Sequence, residues 1–121
     1  MNIDTLIIGQ SRSVYVVGAL EKLIQWMLQL TRPKPAVLLR TTQWLADQPL
    51  SILQQAPHIW KHERGTSPPI YVIRKDQARL YCCLKGQDIV ILCWAVKKRD
   101  KADPADLRRA ERLAREIIDG K

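Results

Sequence analysis

Three apolar runs, Ile70–Lys75, Ala78–Leu84 and Asp88–Val96, follow one another with only the links Lys-Asp-Gln-Ala and Lys-Gly-Gln-Asp between them. Links this short close hairpins and cannot carry a crossover, so the runs predict an antiparallel meander. Four-residue links place Arg74 opposite Arg79 and Tyr81 opposite Leu92. Side chains alternate along a strand. One face then gathers Arg74, Arg79, Tyr81, Trp94 and, past the strand end, Lys98. The other gathers Tyr71, Ile73, Leu80, Cys82, Leu84, Ile89, Ile91 and Cys93, which is almost purely apolar and needs a cover.

Upstream, Asn2–Ile8 is short, β-branched and bounded by Gly9, the pattern of a first strand. Ser11 or Ser13 is placed to cap a helix. Leu20, Leu23, Ile24, Met27 and Leu28 recur at helical spacing, which predicts a helix from about Ser13 to Leu30. Pro33 and Pro35 break it. A second helix, about Ala36–Asp47, gathers Val37, Leu38, Thr41, Trp44 and Leu45 on one face. The resulting helix hairpin suits the apolar sheet face. Between Leu50 and Pro69 the residues Pro57, Gly65, Pro68 and Pro69 forbid long elements, and Ile52, Leu53, Ile59 and Trp60 pin an irregular segment to the core. At the far end Asp103 is an N-cap, Pro104 suits the first helical position, and Gly120 closes a helix over Asp103–Asp119. Its narrow stripe of Leu107, Ala110, Ala114 and Ile117 suits close docking, beside a solvated face of Arg108, Arg112 and Arg115. The fold class expected is α+β: an N-terminal strand and helix hairpin packed on an antiparallel β-sheet meander, with a C-terminal helix, in one domain over residues 1–121.

Charge is unevenly placed. Residues 1–31 hold two basic and two acidic side chains, and 102–121 hold five of each. Residues 32–101 hold thirteen basic against five acidic, so this middle segment carries the whole net charge of +8. A sheet-forming segment with unbalanced cations and a few rings fits a polyanion, RNA foremost. The longest apolar run, Val14–Leu20, is too short to span a bilayer, and Asp4 with no basic start does not read as a signal peptide. Three cysteines, Cys82, Cys83 and Cys93, make no disulfide framework and no metal-ligand spacing. They read as small buried hydrophobes of a cytoplasmic protein.

No familiar catalytic motif is present, and neither a metal nor another cofactor is implied. His58 and His62 lie in the irregular segment; either has the chemistry of a general acid or base, but lone loop histidines read first as solvated side chains, and His62 also as an RNA contact. Arg74 and Arg79 are more telling, because like charges directly across a strand pair repel and need compensation. A carboxylate such as Glu63 or Asp76 could supply it. So could a phosphate, which bidentate guanidinium groups suit. Tyr81 and Trp94 could stack on bases or simply pack. Lys97, Lys98, Arg99 and Lys101, at the end of the strand bearing this face, extend the positive patch.

This order of elements resembles the RelE/ParE toxin superfamily. The likeness rests on Ile73-Arg74, on Arg79-Leu80-Tyr81, and on the strand that ends in a Lys-Lys turn. Residues Ile89–Ala110 are similar to the HigB-like, phage-related branch, where a hydrophobic strand leads into Lys-Lys-x-x-Lys, a proline and an Ala-containing helix. The similarity covers about 70–118 by motif and 1–60 by architecture. Relative to RelE itself, Ile70 and Val72 stand where lysines are expected, and no tyrosine follows the basic turn, so the HigB-like residue set is the nearer one. The resemblance implies the toxin of a type II toxin–antitoxin pair, an endoribonuclease that enters the ribosome and cuts mRNA by 2′-hydroxyl attack on phosphate, without metal. It implies that Arg74 and Arg79 hold the phosphate and that Tyr81 orients it or a base. Lys98 would assist, with Lys97, Arg99, Lys101, Trp94 and His62 contacting RNA. The implied partners are a cognate antitoxin, mRNA and ribosomal RNA. A ParE-like gyrase inhibitor and a non-catalytic basic binding module are the alternatives.

Overall fold

The run Ser13–Val17 decides how the N-terminal half is built. Its helical expectation is overturned: in the computed structural model, which describes residues 1–120, it is a strand. Val14 and Val16 are fully buried while their neighbours are half-buried, a period of two that suits β-branched side chains on a pleated surface. Strand β1 (Ile3–Ile8) and strand β2 (Ser13–Val17) thus form an N-terminal hairpin. Gly18, at φ +86°, supplies the left-handed turn that ends β2. Helix α1 (Leu20–Leu28) begins only there, and its Leu20 N–H donates to the Asp4 carboxylate of β1 at 2.8 Å.

Helix α2 (Pro35–Asp47) begins one residue before the expected Ala36, on Pro35, whose fixed φ suits the first helical position. A single turn, α3 (Leu50–Leu53), and an edge strand, β3 (Trp60–Glu63), occupy the segment expected to be irregular. The meander follows as β4 (Ile70–Lys75), β5 (Ala78–Lys85) and β6 (Asp88–Val96). Helix α4 (Pro104–Asp119) ends the chain, with Asp103 accepting from the Ala105 N–H at 2.8 Å and Gly120 at its C-cap.

The six strands form one sheet in the order β1-β2-β6-β5-β4-β3. It is mixed rather than wholly antiparallel, because β2 runs parallel to β6, with Val14 beside Ile89 and Val16 beside Ile91. Arg74 does lie opposite Arg79. Tyr81, however, pairs with Cys93, because the β5–β6 register shifts between Tyr81 and Cys82 and leaves Leu92 as the extra residue of a bulge.

Helices cover both faces. Leu23 and Met27 of α1, Leu38 and Leu45 of α2, and Leu53 pack with Ile73, Leu80, Cys82, Ile89 and Ile91 on one face. Ala110, Ala114 and Ile117 of α4 pack with Ile70, Val72, Tyr81, Cys83, Val90, Leu92 and Cys93 on the other. The adjacent Cys82 and Cys83 therefore belong to opposite layers, and all three cysteines are free and buried. Trp44 shares a helix face with Val37 and Thr41, as expected, but is exposed instead of buried in the core. Among the described residues no helix is long and apolar enough to cross a membrane.

A clasp joins the N-terminal hairpin to α2. A Cβ on Gly9 would fall 2.5 Å from both the Cβ and the carbonyl oxygen of Ala46, so only glycine permits this approach. The Ser11 and Arg12 N–H groups donate to the Ala46 carbonyl at 3.0 and 3.1 Å. Buried Arg12 then donates to the carbonyls of Leu45 (3.2 Å), Gln48 and, on the β5–β6 turn, Gln87 (3.1 Å).

Candidate functional site

Helix α4 covers only part of its sheet face. Beyond its first turn, the segment Lys97–Asp103 leaves a groove of about 610 Å³ over β3, β4 and β5. Val72 and Tyr81 contribute its apolar floor, since their positions alternate with Ile73 and Leu80 on the opposite face. Arg74 and Arg79 follow Val72 and precede Tyr81 on the same side of their strands, which brings both guanidinium groups into the groove. The Lys97 N–H donates to the Gln77 carbonyl at 2.7 Å, tying the start of the basic segment to the β4–β5 turn.

Seven cations line this groove: Lys61, Arg74, Arg79, Lys97, Lys98, Arg99 and Lys101. Four carboxylates, Glu63, Asp100, Asp103 and Asp106, stand among them. The ion pairs do not involve the two arginines. Lys61 pairs with Glu63 at 3.5 Å, and Lys97 with Asp100 at 3.4 Å. Neither Glu63 nor Asp76 compensates Arg79, which donates instead to the backbone carbonyls of Asp76 (2.9 Å) and Ala78 (2.8 Å). Among the described residues, Arg74 and Arg79 make no ion pair. Burial, and next the facing Arg74, lower the Arg79 guanidinium from its ordinary pKa, while Tyr81 acts in the opposite direction. Two cations held together in this way favour an incoming anion.

Tyr81 is 3% exposed, and burial, reinforced by Asp106, pushes its phenol up to about 12. It therefore stays protonated at neutral pH. Asp106 is raised from the ordinary carboxylate value, first by burial and then by Asp103, with Lys98 and Arg109 pulling the other way.

Of the residues singled out from sequence, the groove collects Arg74, Arg79, Tyr81, Lys97, Lys98, Arg99 and Lys101. Trp94 and His62 are not among them. The β6 bulge turns Trp94 to the opposite face, where its ring lies 6.3 Å from that of Trp26 of α1. The same shift turns Cys93 toward α4, reversing the faces expected for both. His62 stacks on Tyr71 at 4.9 Å, and Tyr71 in turn on Trp60 at 4.8 Å, so this histidine belongs to a ring stack behind the sheet. Lys61 is a groove residue that the sequence reading passed over. The alternation of Trp60 and His62 with Lys61 and Glu63 is the signal for β3, but it lasts four residues. Among the described residues no group of three His, Cys, Asp or Glu side chains could hold a metal.

Comparison with protein-family models, with curated proteins and with solved structures found no match to this chain.

Proposed function

We propose that the groove binds a single RNA strand and cleaves it, and that the protein is the toxin of a type II toxin–antitoxin pair acting on mRNA in the ribosome. The observation that carries this reading is the facing pair Arg74 and Arg79, unpaired by carboxylate, in a groove floored by Tyr81 and walled by Lys97–Lys101. A phosphodiester between the two guanidinium groups would relieve their repulsion and let them stabilise charge that builds on the phosphate. The reaction is attack of the ribose 2′-oxygen on the adjacent phosphorus with loss of the 5′-oxygen. It leaves a 2′,3′-cyclic phosphate and a 5′-hydroxyl. The similarity of Ile89–Ala110 to the HigB-like branch of the RelE/ParE superfamily supports the choice of mRNA, and the likeness implies an antitoxin that neutralises the basic groove with acidic residues.

Induced expression should arrest growth and leave mRNA cut within translated codons. Replacing Arg74 and Arg79 together with alanine should restore growth and reduce cleavage at least ~100-fold, the scale of losing transition-state charge stabilisation. Normal growth with intact transcripts rejects the reading. DNA-damage signalling with translation unaffected would point instead to a gyrase-directed toxin.

A further inference from the structure

The groove holds four carboxylates, and three of them are already engaged. Glu63 pairs with Lys61, Asp100 pairs with Lys97, and Asp103 caps α4 through the Ala105 N–H. The side chain of Asp106 makes no hydrogen bond or ion pair among the described residues, although it lines the same groove as Tyr81, Arg74 and Arg79. Its helical turn is held against the sheet by apolar packing and by the Cys93 thiol, whose sulfur lies 4.0 Å from the Asp106 carbonyl oxygen.

We propose that Asp106 is the general base of the groove, accepting the proton of the attacking 2′-hydroxyl while Tyr81 gives one to the leaving 5′-oxygen. This role rests on the nuclease reading above. The O2′–H bond breaks as the proton passes to the Asp106 carboxylate, and the O2′–P bond forms. The P–O5′ bond then breaks, and the 5′-oxygen takes the phenolic proton of Tyr81. Solvent carries the proton from Asp106 back to Tyr81, so nothing is consumed beyond the phosphodiester and no oxidant or reductant is needed. Arg74 and Arg79 hold the phosphate throughout. The groups facing Asp106 are Tyr81 of β5, Cys93 of β6, Lys98 of the basic segment, and Asp103 and Arg109 of its own helix. Burial raises the carboxylate from its ordinary value, and burial pushes the phenol up to about 12 and so keeps it protonated. The two groups are thus set apart in the way that acid and base roles require.

The test compares wild type with Asp106→Asn and Asp106→Glu, using mRNA on translating ribosomes for cleavage and a uniformly 2′-O-methylated oligoribonucleotide for binding. Wild-type cleavage should rise with pH along an acid limb displaced upward from the ordinary aspartate value, then stay level to beyond pH ~9 because the phenol is still protonated. Asp106→Asn should cut at least ~100-fold more slowly and lose the acid limb, yet bind the methylated strand as well as wild type or better. Asp106→Glu should recover the limb and part of the rate. Unchanged cleavage by Asp106→Asn overturns the role of Asp106 alone, as does an equal loss of cleavage and binding. Absence of cleavage by wild type overturns the nuclease reading and this role with it. If the asparagine variant does not fold, a wild-type profile without the acid limb overturns the assignment.

Discussion

Arg12 shows how one side chain can hold three elements without touching the candidate site. Its guanidinium is buried and takes carbonyls from the end of α2 and from the β5–β6 turn, while Ser13 beside it donates its N–H to the Asp88 carboxylate at 2.9 Å. The last carbonyls of a helix have no partner within it, and a cation there also meets the negative end of the helix dipole. Hydrogen bonds to a charged group contribute more than neutral ones, and removing their donor leaves buried acceptors bare. Arg12→Ala should therefore lower the unfolding free energy by about 3 kcal/mol, read as a reduced urea midpoint with an unchanged slope. Arg12→Lys should recover only part of this, because one ammonium cannot reproduce the guanidinium fork. Nothing in the local pattern Gly9-Gln10-Ser11-Arg12-Ser13 marks this residue, since its partners lie 33 to 75 positions away.

At the scale of elements, α4 is the part most legible in the sequence, because its signals are local: an N-cap, a proline, a small-residue stripe and a closing glycine. It also packs over Cys83 and Cys93 on its sheet face. Burial raises both thiols to about 11, so the docked protein presents little thiolate near neutrality. Reaction with a thiol reagent at pH 7–8 should then proceed through undocking of α4. Asp103→Ala removes the cap bond to Ala105 and costs about 1 kcal/mol of helix stability. It should speed modification of these two cysteines roughly fivefold, since 1.4 kcal/mol is a factor of ten. No change in rate would mean that the thiols are reached without moving the helix. The meander was equally legible, because its hairpin links fix which residues face one another as far as Arg74 and Arg79. The bulge at Leu92 was not, since a run of alternating and continuous apolar residues reads the same with or without one extra residue. That single residue is why strict alternation puts Trp94 on the groove face while the structure has it behind the sheet. Strand β2 carries no local signal for a related reason. Its burial comes from pairing with β6, more than seventy positions later, and valines beside a helical stripe carry no mark of that partner.

The two sides of the sheet differ in how far they are covered. The α1–α2 side of the sheet holds the larger apolar core, whereas the α4 side is left open at one end, where seven cations line the groove. A net charge of +8 spread evenly would attract any polyanion weakly, but seven cations around one groove give a defined track. For a single strand, log K falls against log salt with a slope of about −0.7 per phosphate neutralised. Three of the groove carboxylates are engaged, two of them with Lys61 and Lys97, so under the proposed RNA reading Arg74, Arg79, Lys98, Arg99 and Lys101 are the cations free for phosphates. If about four of these engage, affinity for a short RNA should fall roughly fiftyfold between about 50 and 200 mM salt, a slope near −3. Replacing Arg74 and Arg79 should reduce that slope by about 1.4, whereas replacing the equally basic Arg112 and Arg115 on the outer face of α4 should leave it unchanged. Equal effects from the two pairs would mean that the net charge of the molecule, and not the groove, governs binding.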